Sequence, residues 1–110
     1  MKALRIDTDG KMQTVEITGE TISAQNDCIY AMLGGYFDIV RLGGGDALML
    51  VDDEGLLKGL DENCTAMMIA NYPMLVGTAL IVGLMQTDDG DVFTDCPKRF
   101  LNLPGKLSGR

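Results

Sequence analysis

The chain has 110 residues, 46% of them hydrophobic, and its formal net charge is -7 because 16 acidic residues outnumber 9 basic ones. A chain of this length folds as a single domain that buries about two thirds of the surface exposed when it is unfolded, so it needs no stabilising metal or disulfide. The basic residues are scattered along the sequence, and the negative charge disfavours contact with nucleic-acid phosphates. We therefore expect one domain, residues 1–110, that does not bind nucleic acid directly.

The residues that most often carry catalysis or bind metals are missing or badly spaced. Histidine is absent, which removes the Ser-His-Asp triad, the Cys-His dyad and histidine metal ligation. The three cysteines, Cys28, Cys64 and Cys96, are far apart and form no C-x-x-C pair. No acidic segment has the spacing of an EF-hand calcium loop. We predict a protein that is not an enzyme and that has no metal site and no cofactor.

No segment has the pattern of a membrane span or a secretory signal. The longest uncharged run, residues 71–87, is interrupted by Pro73, Gly77 and Gly83, so it does not match a spanning helix of about 20 apolar residues. At the N-terminus, Asp7 comes too early for the apolar region of a signal peptide. We expect a cytoplasmic protein that does not bind membranes.

The first half of the chain alternates strand and helix patterns. Residues 3–7 and 12–17 alternate apolar and polar side chains around an Asp-Gly turn, which predicts a hairpin. Thr21 or Ser23 can cap the helix that follows, and its apolar stripe ends at Leu33 before a glycine pair. Residues 36–42 and 47–51, joined by a glycine-rich turn, predict a second hairpin. After the turn at residues 53–55, residues 56–59 are predicted to return as a strand beside the preceding one.

The second half begins with a shorter helix. Asp61 or Asn63 can start this helix, and Pro73 ends it. Residues 75–85 are almost uninterrupted apolar, the pattern of a central strand that is covered on both faces. A brief strand at residues 91–94 follows an acidic turn, and Pro97 suits the first turn of a terminal helix. We expect residues 104–110 to form a loose tail.

These elements predict an α+β fold: an antiparallel-rich sheet of about five to six strands, with two main helices on one face and a short C-terminal helix. The predicted core consists of apolar residues assigned to the inward side of these elements. They are Leu4, Ile6, Val15, Ile29, Leu33, Ile39, Leu48, Leu50, Leu80 and Val82.

Four polar or amphipathic residues flank the central strands and are candidates for a binding pocket at one end of the sheet: Tyr36, Arg41, Lys58 and Asn63. Each also has an ordinary structural interpretation. Tyr36 can be a half-buried aromatic and Arg41 an exposed edge charge. Lys58 can be a solvated lysine and Asn63 a helix cap.

Acidic turns supply a second candidate surface. Asp53 and Glu54 lie in one turn, Asp88 and Asp89 lie in another, and Asp9 lies in the first hairpin. Carboxylates in turns often bond only to their own backbone. If at least two of these turns share a rim of the sheet, that rim is strongly negative and suits a basic protein partner.

Four segments carry a family resemblance. They are MKALRID at 1–7, GGYFDIV at 34–40, DDEGLLKGL at 52–60 with Asn63 and Ala66 after it, and VGTALIVG at 76–83. In this order and spacing they resemble the domain of unknown function 3846 family of bacteria, phages and mobile elements. The resemblance implies a small cytoplasmic α+β domain without an accepted activity, often carried on mobile DNA.

The resulting functional prediction is a non-enzymatic accessory protein of mobile-element type that binds a protein partner. The alternative is a small-ligand-binding protein or an enzyme with a pocket near Tyr36, Lys58 and Asn63.

Overall fold

The computed structural model describes residues 1–103 and contains a six-stranded antiparallel sheet with three helices. The strands are β1 (Lys2–Ile6), β2 (Met12–Glu16), β3 (Phe37–Arg41), β4 (Ala47–Asp52), β5 (Ala79–Thr87) and β6 (Gly90–Thr94), and the helices are α1 (Ile22–Leu33), α2 (Cys64–Ala70) and α3 (Lys98–Leu101). The predicted α+β class, the strand number and the short C-terminal helix are confirmed. The predicted tail at 104–110 lies outside the described residues. None of the helices in residues 1–103 has the length and apolar character needed to cross a membrane.

The long strand β5 is the centre of the sheet, as predicted. The strand order is β2-β1-β5-β4-β3, and β6 also pairs with β5. One part of β5 pairs with β1, and the part from Gly83 to Thr87 pairs with β6. The Cys96 N–H donates to the Lys2 carbonyl at 2.8 Å, so the chain that leaves β6 reaches the start of β1. This order leaves β2 and β3 as outer strands.

The helices cover both faces of the sheet. In β4, Ala47, Met49 and Val51 pack into a core with α2 and α3, and we call this side the α2 face. Leu48 and Leu50 point the other way and pack with α1, on what we call the α1 face. The prediction of both main helices on one face is therefore wrong. Because β4 is buried at every position, each face of the sheet needs its own cover.

The predicted core is confirmed except in the two outer strands. Val15 is only half-buried, and Ile39 is 50% exposed. In β3 the buried residue is Val40, which lies opposite Met49 on the α2 face. Ile39 lies opposite Leu50 on the α1 face, where α1 leaves it half exposed. The strand phase predicted for β3 was therefore wrong by one residue.

The predicted strand at residues 56–59 is wrong, because this segment forms turns. The Lys58 N–H donates to the Glu54 carbonyl at 3.0 Å, and the Leu60 N–H donates to the Gly55 carbonyl at 3.1 Å. A returning strand has no edge to join, because β4 already pairs with β3 on one side and with β5 on the other.

Side-chain caps define where the two longer helices begin. The Ala24 N–H donates to Thr21 Oγ1 at 3.0 Å, so Thr21 is the cap of α1. The Ala66 N–H donates to Asn63 Oδ1 at 3.0 Å, so Asn63 is the cap of α2. Between the predicted alternatives, the structure therefore selects Thr21 for α1 and Asn63 for α2.

Candidate functional site

Asn63, one of the candidate binding residues, lies inside the protein. It is 1% exposed, and its Nδ2 donates to the carbonyls of Ile6 at 3.0 Å and Gly77 at 2.8 Å. Its Oδ1 accepts the Ala66 N–H that begins α2. The side chain thus joins β1, α2 and the segment before β5, and its amide does not face a ligand.

Lys58 is occupied by an ion pair. Its Nζ donates to Asp52 Oδ2 at 2.7 Å and to the Gly34 carbonyl at 2.9 Å. Asp52, whose side chain is 1% exposed, also accepts the Glu54 N–H at 2.8 Å. The pair ties the end of β4 to the C-terminus of α1, where a cation also stabilises the helix dipole. At Gly35 a Cβ would lie 3.0 Å from Lys58 Nζ, so a larger residue there would require the lysine side chain to shift.

Opposing effects act on the Asp52 carboxyl. Burial raises the pKa of Asp52, but the hydrogen bonds from Lys58 and the Glu54 N–H, together with the Lys58 charge, outweigh burial and leave this pKa below its ordinary value of 3.8. A carboxyl with a lowered folded-state pKa stabilises the fold above its unfolded-state pKa, and this stabilisation is lost as the pH falls through the folded-state pKa.

Asp52→Asn is expected to flatten the acid side of the stability profile. From about pH 4 downwards, the wild-type free energy of unfolding should fall more steeply than that of the variant, because only the wild type has this carboxylate to protonate. Urea unfolding between about pH 2 and 7 measures both curves. Asp27→Asn, an exposed carboxylate on α1, is the matched control. Parallel curves for the wild type and Asp52→Asn would contradict the proposed role of the ion pair.

The remaining pocket candidates do not converge. Tyr36 is exposed just before β3, and its ring meets that of Tyr30 edge to face at 5.0 Å between centroids. Arg41 is exposed at the other end of β3, about 16 Å away along an extended strand. The pocket predicted near Tyr36, Lys58 and Asn63 does not correspond to either of the two cavities beside β3, because none of these residues lines either cavity.

The larger cavity, of about 490 Å³, lies beside β3 on the α2 face, and we call it the acidic groove. Its walls are β3, the turns that follow β4 and the segment between α2 and β5. All of its charged lining residues are acids: Asp38, Asp52, Asp53 and Glu54. Since Asp52 is paired with Lys58, the other three carboxylates provide the free negative charge of the groove.

Exposed apolar side chains gather in the same groove. They are Leu56, Leu57, Tyr72 and Met74; Ile39 also borders the groove, although its side chain lies on the α1 face. Leu57 is 87% exposed, the largest value among them. Sequence reasoning missed this set, because Leu56 and Leu57 were assigned to a strand. The sequence signal that could have indicated this exposed set was the apolar pair Leu56 and Leu57 directly after the acidic turn at residues 53–55.

A smaller cavity, of about 240 Å³, lies on the α1 face, and we call it the apolar cavity. It is lined by Phe37 and Ile39 of β3, by the start of α1 and by β6. The rings of Phe37 and Phe93 are 6.0 Å apart. Ile39 lines both cavities, so β3 runs between them.

The outer edge of β3 carries backbone groups that face away from the sheet. The Leu42 N–H donates to the Ala47 carbonyl at 3.3 Å, and the Asp53 N–H donates to the Tyr36 carbonyl at 3.0 Å. Even-numbered residues of this segment therefore face β4, and odd-numbered residues face outward, because backbone groups alternate along a strand. The outward residues of β3 are Phe37, Ile39 and Arg41. No strand within residues 1–103 pairs with this edge.

Two of the three acidic turns share one end of the sheet, and the third lies at the other end. Ile6 pairs with Ala79 and Ala79 with Val51, so the turn after β1 and the Asp53–Glu54 turn after β4 share one end. The turn that contains Asp88 and Asp89 follows β5 at the other end. Of the acidic candidates, Asp53 and Glu54 line the groove and Asp88 and Asp89 do not. In residues 1–103, no group of three or more histidine, cysteine, aspartate or glutamate side chains is placed to hold a metal ion.

Together these features define a small α+β domain with an acidic groove beside an open sheet edge. The model of a family described as a domain of unknown function, number 3846, matches residues 1–105. The chain belongs to this family. No functionally curated protein and no solved structure matches it.

Proposed function

We propose that the protein is a non-enzymatic, cytoplasmic accessory protein of mobile-element type that binds a protein partner through the acidic groove. The observation that carries this proposal is the gathering of exposed apolar side chains in one groove whose charged lining residues are all acids. Soluble proteins seldom expose large contiguous apolar patches unless these serve binding. We infer the mobile-element setting from the sequence resemblance, because that resemblance implies a family often carried on mobile DNA.

The groove chemistry indicates what the partner presents. Apolar groups such as Leu57 and Tyr72 need an apolar surface to leave water, and Asp53 and Glu54 favour nearby cations. A protein segment with apolar and basic side chains meets both needs. The net charge of -7 attracts such a segment from a distance.

Cys96, the buried one of the three cysteines, is not suited to act as a catalytic nucleophile. Burial raises the pKa of the Cys96 thiol to about 11, so this residue stays protonated near neutral pH. A protonated, buried thiol is a poor nucleophile.

Leu57→Ser is expected to reduce capture of the partner by about tenfold, because it removes an apolar side chain that binding would bury. The measurement is an affinity pull-down from host lysate with quantitative mass spectrometry, in which the partner is the protein enriched by the wild type. Met85→Ser is the matched control, since Met85 is also exposed but lines neither cavity. Equal capture by Leu57→Ser and the wild type would exclude the groove as the binding surface.

The second candidate is a small-ligand-binding protein or enzyme, favoured by the apolar cavity rather than by the pocket predicted from sequence. Gln25, Asn26 and Asp91 provide polar groups around its aromatic wall. Its volume of about 240 Å³ is below the roughly 300–1,000 Å³ of typical ligand sites, so it ranks second. A saturable thermal shift in a screen of nucleotides and small apolar compounds would support this candidate over partner binding.

A further inference from the structure

We propose that the partner binds as an added β-strand, antiparallel to β3, with basic side chains in the acidic groove and apolar side chains in the apolar cavity. This inference rests on the proposed function and specifies the segment that is recognised. Its occupant is an extended peptide segment in which basic and apolar residues alternate.

The backbone of β3 is arranged for such an addition. Phe37, Ile39 and Arg41 direct their N–H and C=O groups outward, and no strand within residues 1–103 pairs with them. An unpaired edge of this kind is a template for main-chain hydrogen bonds to an extended segment. These bonds supply affinity without regard to the partner's sequence.

The side-chain surroundings of β3 supply the specificity. Asp38 lies on the α2 face at the acidic groove, and Phe37 and Ile39 lie on the α1 face at the apolar cavity. An added strand has the same two-residue alternation, so its successive side chains enter one cavity and then the other. One face of the segment meets carboxylates, and the other meets Phe37 and Ile39.

Charge complementarity favours a basic partner segment over a second copy of this chain. Pairing β3 with β3 of another copy would set two acidic grooves side by side, each with Asp38, Asp53 and Glu54. Both chains would also carry a net charge of -7. Like charges in such proximity oppose association.

The antiparallel orientation predicts which backbone groups of the segment face β3. In β3 itself, the residues that point to the α1 face are those with outward N–H groups. In an antiparallel added strand, the residues that point to the α1 face, which are the apolar ones, direct their N–H groups toward β3. In a parallel added strand, the basic residues on the α2 face would direct their N–H groups toward β3 instead.

The probe is a capped, fluorescein-labelled peptide of alternating lysine and valine, about nine residues long so that it spans all of β3 within the usual range of strand lengths. Fluorescence anisotropy measures its binding to the full chain. A peptide with N-methylated valines should bind at least about tenfold more weakly than the parent, and one with N-methylated lysines should bind like the parent. A peptide with glutamate in place of lysine should not bind.

Backbone amide exchange of the wild-type protein supplies an internal control. In the free protein, the amide protons of Asp38 and Val40 should be protected by β4, and those of Phe37, Ile39 and Arg41 should exchange fast. On addition of the lysine-valine peptide, exchange at these three positions should slow by at least about tenfold. No change at these positions would overturn strand addition.

Ile39→Pro tests the edge from the protein side. It removes an outward N–H and leaves the bonds to β4, a position where proline is tolerated in an edge strand. Thr14→Pro is the matched control, because the Ile17 N–H donates to the Met1 carbonyl and therefore Thr14 faces outward on β2. Ile39→Ala removes most of the side chain but keeps the backbone N–H, so it separates the side-chain contribution to binding from the backbone contribution. Peptide affinity should fall at least about tenfold with Ile39→Pro, fall less with Ile39→Ala, and stay unchanged with Thr14→Pro.

The outcomes separate this inference from the proposed function. If Leu57→Ser abolishes partner capture but Ile39→Pro and valine methylation have no effect, the groove binds a partner by another mode and strand addition is wrong. If lysine methylation alone weakens binding, the antiparallel orientation is wrong. Absence of peptide binding up to about 1 mM, or a dimer of this chain that Ile39→Pro disrupts, overturns the inference.

Discussion

Asn63→Leu is expected to lower the free energy of unfolding by about 3 kcal/mol or more. Leucine has a similar size but leaves the carbonyls of Ile6 and Gly77 without their buried donor, and each unsatisfied group costs about 1–3 kcal/mol. It also removes the cap that accepts the Ala66 N–H, worth about 1 kcal/mol. Since these groups belong to three segments of the fold, the loss is not confined to α2.

Urea and thermal unfolding measure this effect. A loss of about 3 kcal/mol corresponds to a fall in melting temperature of roughly 12–24 °C for a domain of this size. Asn102→Leu, an exposed asparagine after α3, is the matched control and should change stability by less than about 0.5 kcal/mol. If Asn63→Leu lost less than about 1 kcal/mol, the buried amide would not have the structural role assigned to it.

Reversing the charge of the acidic groove is expected to slow partner association by about tenfold or more at low salt. The variant combines Asp53→Lys and Glu54→Lys, two exposed turn positions that line the groove. Rim charges act mainly by steering the encounter, and this steering is screened beyond about 8 Å at physiological ionic strength. The difference between the wild type and this variant should therefore shrink as salt rises.

Surface plasmon resonance with the captured partner measures the association rate across a salt series. The matched control combines Asp88→Lys and Asp89→Lys, which changes the net charge by the same amount at the opposite end of the sheet. This control should retain most of the wild-type rate. Equal slowing by both variants would assign the effect to net charge rather than to the groove, and no slowing by either would remove the electrostatic argument for a basic partner.

The candidate site was only partly predictable, because its residues are brought together by segments distant in the chain. Asp53 and Glu54 were chosen for their charge, and they lie in the groove. Tyr72 and Met74, which form another wall, carry no local signal of exposure, and the sequence analysis did not select them. Asn63 and Lys58 were selected as polar residues near strands, yet Asn63 is buried and Lys58 is held in an ion pair with Asp52.

Local chemistry in the sequence determined the elements that depend only on neighbours along the chain. The first hairpin, a cap of α1 at Thr21 or Ser23 and the long apolar strand β5 were predicted from turn residues, side-chain caps and hydrophobic periodicity; the hairpin and β5 are present, and the cap is Thr21. These signals act within a few residues, so they are readable without knowledge of the rest of the fold.

Only the tertiary structure decided which edges and faces remain open. Residues 56–59 form turns because β3 and β5 already occupy both edges of β4. The helices α1 and α2 lie on opposite faces of the sheet because β4 and β5 carry apolar side chains on both sides. The same arrangement leaves Ile39 half exposed on an outer strand between two cavities. Strand pairing and burial depend on contacts between distant residues, and a side-chain pattern with a period of two cannot by itself indicate which face will be covered.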